Sequence, residues 1–292
     1  MFLCEYILDF SSERVPGCSW IRICQFLTSL GRTPKIQRAE LRLQVKLPVL
    51  SHVFYNGSPD KDNSTRSIES LGTVYSELNI NEDPYVLSLL REGSEKSLRK
   101  LEQARLNLKS WAHDQMRGVY TTSLKIFKEL GGWAADHYIS EVISRFITLA
   151  DTNTVQLRMF DLASEEKRYL ANAFKQVETM PRATQPLIDN SSISDKVSKL
   201  IETLLENVEK FSGIIFVEER AMVWVLSHLL KAHRDTRHRF RIGTVVGIST
   251  SSYRSQNIGD LLGAESQKNT LSDFKTGAIN LVIATNVLEE GM

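Results

Sequence analysis

The chain has 292 residues, enough for two domains of about 100–200 residues each and for a sizeable buried core. With 42% hydrophobic and 24% charged residues it reads as a globular protein, and 36 Lys+Arg against 35 Asp+Glu leave a net charge of +1, so any basic surface is local. No apolar run reaches the roughly 20 residues of a bilayer span, the apolar start lacks a basic n-region, and Cys4, Cys18 and Cys24 show neither a disulfide framework nor zinc spacing, so an intracellular protein is expected.

Residues 1–33 have no clean periodicity. Residues 34–67 begin with a basic amphipathic crossing segment (PKIQRAELRLQVKLPVL) and end in a polar, turn-forming loop, NGSPDKDNSTRS at 56–67. Residues 68–180 read as helical. Asp83-Pro84 is an N-cap and first-turn pair, and Gly93 a helix stop. Ser94 opens a long helix with Leu98, Leu101, Ala104, Leu108 and Trp111 at three- and four-residue spacing. Gly118 is a weak point in a pattern that runs on through Leu130 to Gly131-Gly132. A helix with Trp133, Ile139, Val142, Ile143 and Phe146 follows, then another after Ser164 with Leu170, Phe174 and Val177. Amphipathic helices on short connections, without strand patterns between them, predict a bundle.

Residues 181–193 (PRATQPLIDNSSI) form a linker, and Ser194 caps a helix carrying Val197, Leu200, Ile201 and Leu204. Three short apolar strands then alternate with helices: IIFV after Gly213, a helix from Glu218 to about Lys231, a strand over 242–247, a helix from about Ala264 to Lys275, and NLVIA from Asn280. This predicts a parallel sheet covered on both faces. The fold class is therefore α plus α/β, a helical bundle followed by residues 194–292 as an incomplete parallel-sheet domain.

The chain holds no phosphate loop, no G-x-G-x-x-G after a strand, no G-x-S-x-G elbow and no H-E-x-x-H. His228, His233 and His238, five apart, turn about 500° per step on a helix and share no face, so they read as exposed helix and loop histidines, not metal ligands. Glu218-Glu219 and Glu289-Glu290 are adjacent and diverge, which suits solvated charges better than an acid/base couple. Two features carry functional readings. The basic run Lys231 to Arg241 (KAHRDTRHRFR), with Arg237, Arg239 and Arg241, is either a solvated, mobile loop or a local phosphate-contacting patch. The run INLVIATNVLEEGM empties a buried strand into a polar turn, and ligands of open parallel sheets gather at the carboxyl ends of strands, which places Thr285 and Asn286 where a phosphate would be met.

GIIFVEERAMVWVLSHLL and QKNTLSDFKTGAINLVIATNVLEEGM resemble motifs IV and V, with the segment between, of the second RecA-like domain of superfamily 2 RNA helicases, and most of all the fungal Dicer-like proteins. RTPKIQRAELRLQVKLPVLSHV and SDKVSKLIETLL are similar to the segments leading into and out of that family's helical insertion. The resemblance covers roughly residues 32–292. It implies a helical insertion followed by a RecA-like lobe that stops at motif V. It also implies that Thr285 contacts the RNA backbone, that Gly291 lies near nucleotide, and that Gln267 and Lys268 are RNA-facing; Ser249, Thr250 and Ser251 follow a strand, where their hydroxyls are expected to meet phosphates. Glu218 stands where related helicases often carry a basic residue, which weakens an RNA contact there.

The resemblance further implies a double-stranded RNA partner, roles in RNA silencing and antiviral defence, and, for the full-length family, ATP with Mg²⁺ and an RNase III endonuclease. The chain itself, without phosphate loop, acid box or arginine finger, is expected to be inactive alone. Two alternatives stay open: the helical insertion binds a protein cofactor, or the parent is a non-nuclease RNA sensor or translocase. The bundle is expected to fold by itself and residues 213–292 to be marginal alone.

Overall fold

A computed structural model describes residues 53–56, 65–152, 164–179, 188, 192–206, 211–246, 258–263 and 269–285. Thr65 caps the first helix, α1 (Arg66–Glu77), by accepting the Ile68 N–H, and its buried face is Ser67, Ile68, Leu71 and Val74. The polar loop expected through residue 67 therefore ends by Thr65, because a hydroxyl that favours a turn also satisfies the orphan N–H groups of a helix. Asp83 and Pro84 start α2 (Pro84–Glu92), and Gly93 at φ 62° ends it. Ser94 caps α3 (Glu95–Leu106).

The long helix expected to run from Ser94 through Trp111 is two helices. Asn107 ends α3, Leu108 takes a left-handed conformation at φ 46°, and Ser110 caps α4 (Trp111–Leu130). Leu98 and Leu108, expected on the buried stripe, are exposed. Gly118 does not interrupt α4, which holds all 20 of its residues. Gly131 then turns the chain at φ 100°, where a Cβ would lie 2.6 Å from the Ser194 nitrogen, so only glycine fits. The helices α5 (Gly132–Thr152), α6 (Ser164–Phe174) and α7 (Asp195–Leu205) follow, the last capped by Ser194.

The sheet contains β1 (Gly213–Val217), β2 (Ile242–Val245) and β3 (Leu281–Thr285), all parallel, in the order β1-β3-β2. The central strand β3 is buried along its whole length. Period-two alternation divides the sheet's side chains between two layers. Ile215, Val217, Leu281 and Ile283 pack towards α8 (Arg220–Ala232), while Phe216, Val245, Val282 and Ala284 meet Phe274 and Ile279 around α9 (Thr270–Thr276). The α plus α/β class is thus observed.

These elements belong to a compact unit that takes in residues 55–292. A single hydrophobic cluster runs from Ile68 on α1 through Met116, Tyr138 and Phe146 to Leu226 on α8 and Ile283 on β3. The helical portion and one face of the sheet share that core.

Candidate nucleic-acid interface

Parallel strands present their carboxyl ends along one edge, here Val217, Val245 and Thr285. Thr285 pairs with Val217 and is 3% exposed, so its hydroxyl lies within the end of the sheet. Ser249, Thr250, Gln267, Lys268 and Gly291, expected around this edge, lie outside the described residues. Directly after β1, Glu218 is exposed and Glu219 occupies the N-cap position of α8. Glu219 is paired with Lys125 of α4, and the hydrogen bond and charge of Glu219 hold that ammonium above its ordinary value. One of the two acidic charges behind β1 is therefore countered by the helical portion.

The basic run lies at the opposite edge. It follows the C-terminus of α8 and precedes β2, next to the amino ends of the strands. Four steps of β3 at about 3.3 Å each put roughly 13 Å between Leu281 and Thr285. Arg237, Arg239 and Arg241 are thus not brought together with Thr285.

Nor is the run a mobile loop. Thr236 is fully buried and donates its hydroxyl to the Leu230 carbonyl at 2.5 Å; His233 is 1% exposed, and its Nδ1 accepts the Asp235 N–H at 3.2 Å. The Arg237 and Arg239 N–H groups close turns onto the His233 and Thr236 carbonyls, the Arg234 N–H donates to Ile188, and Phe240 packs edge-on against Phe211. Arg241 is exposed yet spoken for. Its Nε donates to the Ala278 carbonyl at 2.8 Å and its guanidinium to Gly277 at 3.0 Å, while its backbone N–H donates to Asn280 Oδ1. That guanidinium satisfies carbonyls left over after the end of α9.

Of the three clustered histidines only His238 is exposed, against the expectation that all three are. Burial excludes His233 from solvent, and His228 belongs to an aromatic seam that sequence reading missed. Trp133 and His137 on α5 stack at 4.7 Å, His137 and Trp224 on α8 at 5.1 Å, and Trp224 and His228 lie 3.9 Å apart, with the Arg145 guanidinium 5.7 Å from the Trp224 ring. Each pair on its own helix has i, i+4 spacing and is visible in sequence; that the two pairs meet is not. Desolvation holds the His228 imidazole below its ordinary value, aided by Lys231 and Arg145 and opposed by the Trp224 carbonyl and Glu141. A cleft of about 330 Å³ runs beside this seam along β2, lined by Arg220, Trp224, His228, Lys231, Thr244 and Asp273 among others.

One cluster in the helical portion has the composition of a nucleophilic triad but not its order. Ser110 donates to Asp83 Oδ2 at 2.6 Å and lies 3.0 Å from His113 Nδ1, while His113 Nε2 donates to the Leu78 carbonyl at 3.1 Å. The imidazole does not stand between serine and carboxylate, as a general base must, and all three residues are buried. The cluster is architectural. No group of three or more His, Cys, Asp or Glu side chains able to hold a metal occurs among the described residues.

The chain is 34% identical over 272 residues to Dicer-like protein 2 of Aspergillus terreus, 36% over 273 residues to that of Cryphonectria parasitica, and 34% over 269 residues to that of Pyricularia oryzae. These alignments take in 91–93% of the chain but 18–19% of the relatives, so the chain spans about a fifth of the length of the curated relatives it matches. The resemblance read from the motif segments is thereby borne out. No protein-family model matches the chain. Among solved structures, the helicase domain of Pyrococcus furiosus Hef aligns with a TM-score of 0.32 and 14% identity, covering 95% of this chain and 55% of that one.

Proposed function

Because the chain is homologous to a stretch of about a fifth of fungal Dicer-like protein 2, we propose that it is a double-stranded RNA-contacting segment of such a protein, acting in RNA silencing and antiviral defence. The observation that carries this reading is the position of β3. The strand of the motif V-like run is the buried centre of a parallel sheet and brings Thr285 to the carboxyl edge, where ligands of such sheets bind. Thr285 ends β3 at that edge, and it is proposed to contact the RNA backbone together with Ser249, Thr250, Gln267, Lys268 and Gly291. Backbone contact suits the partner, since A-form RNA presents phosphates and 2′-hydroxyls more readily than base edges. The 292 residues contain no phosphate loop, so ATP and Mg²⁺ chemistry and endonuclease activity are assigned to the remainder of the longer relatives.

The test is an electrophoretic shift assay with the folded chain and a duplex well beyond the roughly 16 base pairs that one double-stranded RNA module spans. Binding at low salt that weakens steadily as salt rises is expected. No shift at low salt, in a sample shown by circular dichroism to be folded, removes the RNA-contacting role.

A second reading has its own observation. Leu90, Leu98, Leu106 and Leu108 are exposed on α2, α3 and the turn after them, which fits a protein cofactor on the helical portion. Capture of a protein partner that survives high salt and is lost in a Leu106→Asp, Leu108→Asp variant would favour it, because an apolar interface is not screened.

A further inference from the structure

Two edges of the sheet offer polar chemistry, and the proposed RNA reading uses only one of them. At the other edge Lys231, Arg234, Arg237 and Arg239 are exposed within nine residues, and none of the four forms an ion pair among the described residues. Asp235 is the one carboxylate in the run. Three like charges on one turn, with Lys231 beside them in the last turn of α8, repel one another. They are also held in place. Buried Thr236 and His233 anchor the turn from inside, the Ile188 carbonyl takes the Arg234 N–H, and Phe240 plugs its end into the core. Side chains carried on a rigid turn lose less entropy on meeting an anion than those on a free loop.

We propose that this turn is a second, independent phosphate-contacting site, which engages the RNA backbone through Arg234, Arg237 and Arg239 with Lys231 beside them. The inference rests on the RNA reading above and adds a separate footprint to it. Phosphate is favoured over an acidic protein surface because the exposed positions of the turn are all polar or charged, its apolar residue Phe240 is buried, and a protein interface needs an apolar centre. Guanidinium forks also suit the paired oxygens of phosphate. Arg241 is excluded from the contact set, since the carbonyls of Gly277 and Ala278 occupy its guanidinium. It acts as a positioning residue that ties the end of the turn to the end of α9.

Counterion release separates the roles. Each arginine that meets a phosphate adds about one unit to the slope of log affinity against log salt, whereas a positioning residue adds none. The experiment uses the full chain, a duplex of about 30 base pairs, nearly twice the span of one module, and the variants Arg234→Gln/Arg237→Gln/Arg239→Gln and Arg241→Gln. The triple variant is expected to keep the wild-type melting temperature and to lose two to three units of slope, about one per arginine. Arg241→Gln is expected to lower the melting temperature with the slope unchanged, and Arg241→Lys to restore part of that loss. If wild type binds and the triple variant keeps the wild-type slope, the second site is overturned and the carboxyl-edge reading stands. Failure of wild type to bind any duplex overturns both. A triple variant that keeps the slope but loses binding to polyglutamate assigns the turn to an acidic protein and overturns the phosphate assignment.

Discussion

At the scale of single residues, His228 shows how packing converts a surface-looking side chain into a stability determinant. Its Nδ1 donates to the Trp224 carbonyl at 2.9 Å, and desolvation keeps the imidazole neutral by lowering its affinity for protons below the ordinary 6.5. The unfolded chain therefore binds a proton in a range where the folded chain does not. The stability contributed by His228 is present above about pH 6.5 and is lost as pH falls from there towards the lower folded value. His137, Trp224, Arg145, Lys231 and Glu141 surround the ring, and the cations among them deepen the effect. Urea unfolding at pH 7.5 and pH 5.5 should show a smaller acid-induced loss in His228→Gln than in wild type; an identical loss would rule His228 out as the source. The histidine's environment was not legible in sequence, because half of it arrives from α5, about ninety positions away.

Among the elements, local signals proved reliable and cross-chain ones did not. Asp83-Pro84, Gly93, Ser94 and Ser194 each cap a helix as the residue types dictate, since a cap is satisfied within a few residues of itself. The break at Leu108 escaped detection because its cause is remote. Ser110 is fixed by Asp83, 27 positions earlier, so one buried pair caps both α2 and α4 and joins them to the end of α1 through His113. A continuous helix would gain a turn of backbone bonds and strand the Asp83 carboxylate in the core. Ser110→Ala should accordingly cost about 2–3 kcal/mol, more than an ordinary N-cap loss, because it leaves a buried carboxylate short of a donor. Ser110→Thr, which keeps a hydroxyl, should cost less. Equal urea midpoints for the Ala and Thr variants would show that the bond to Asp83 contributes nothing.

For the whole molecule, the sequence separates a helical stretch from an α/β stretch at a Pro-containing linker, and composition alone supports treating them as independent. The shared core argues otherwise. Trp224 and His228 of α8 lie against α5, Lys125 of α4 reaches Glu219, and the Gly131 corner receives the Ser194 backbone so closely that no Cβ fits. The same spatial reasoning explains why the site residues divide. Arg241 precedes β2 and Val245 ends it, so the strand carries the chain from the amino edge of the sheet to the carboxyl edge, where Thr285 lies. A continuous apolar cluster favours unfolding as one cooperative unit, and among the described residues one such cluster joins Tyr138 to Ile283. Thermal unfolding of the full chain should therefore give a single transition, with Trp fluorescence, to which Trp133 and Trp224 of the seam contribute, coincident with far-ultraviolet circular dichroism, which reports the helices. Trp224→Ala should lower that one midpoint for both probes together. Two separated transitions, with only the later or the earlier one moved by Trp224→Ala, would mean that the helical portion folds by itself and merely rests on the sheet.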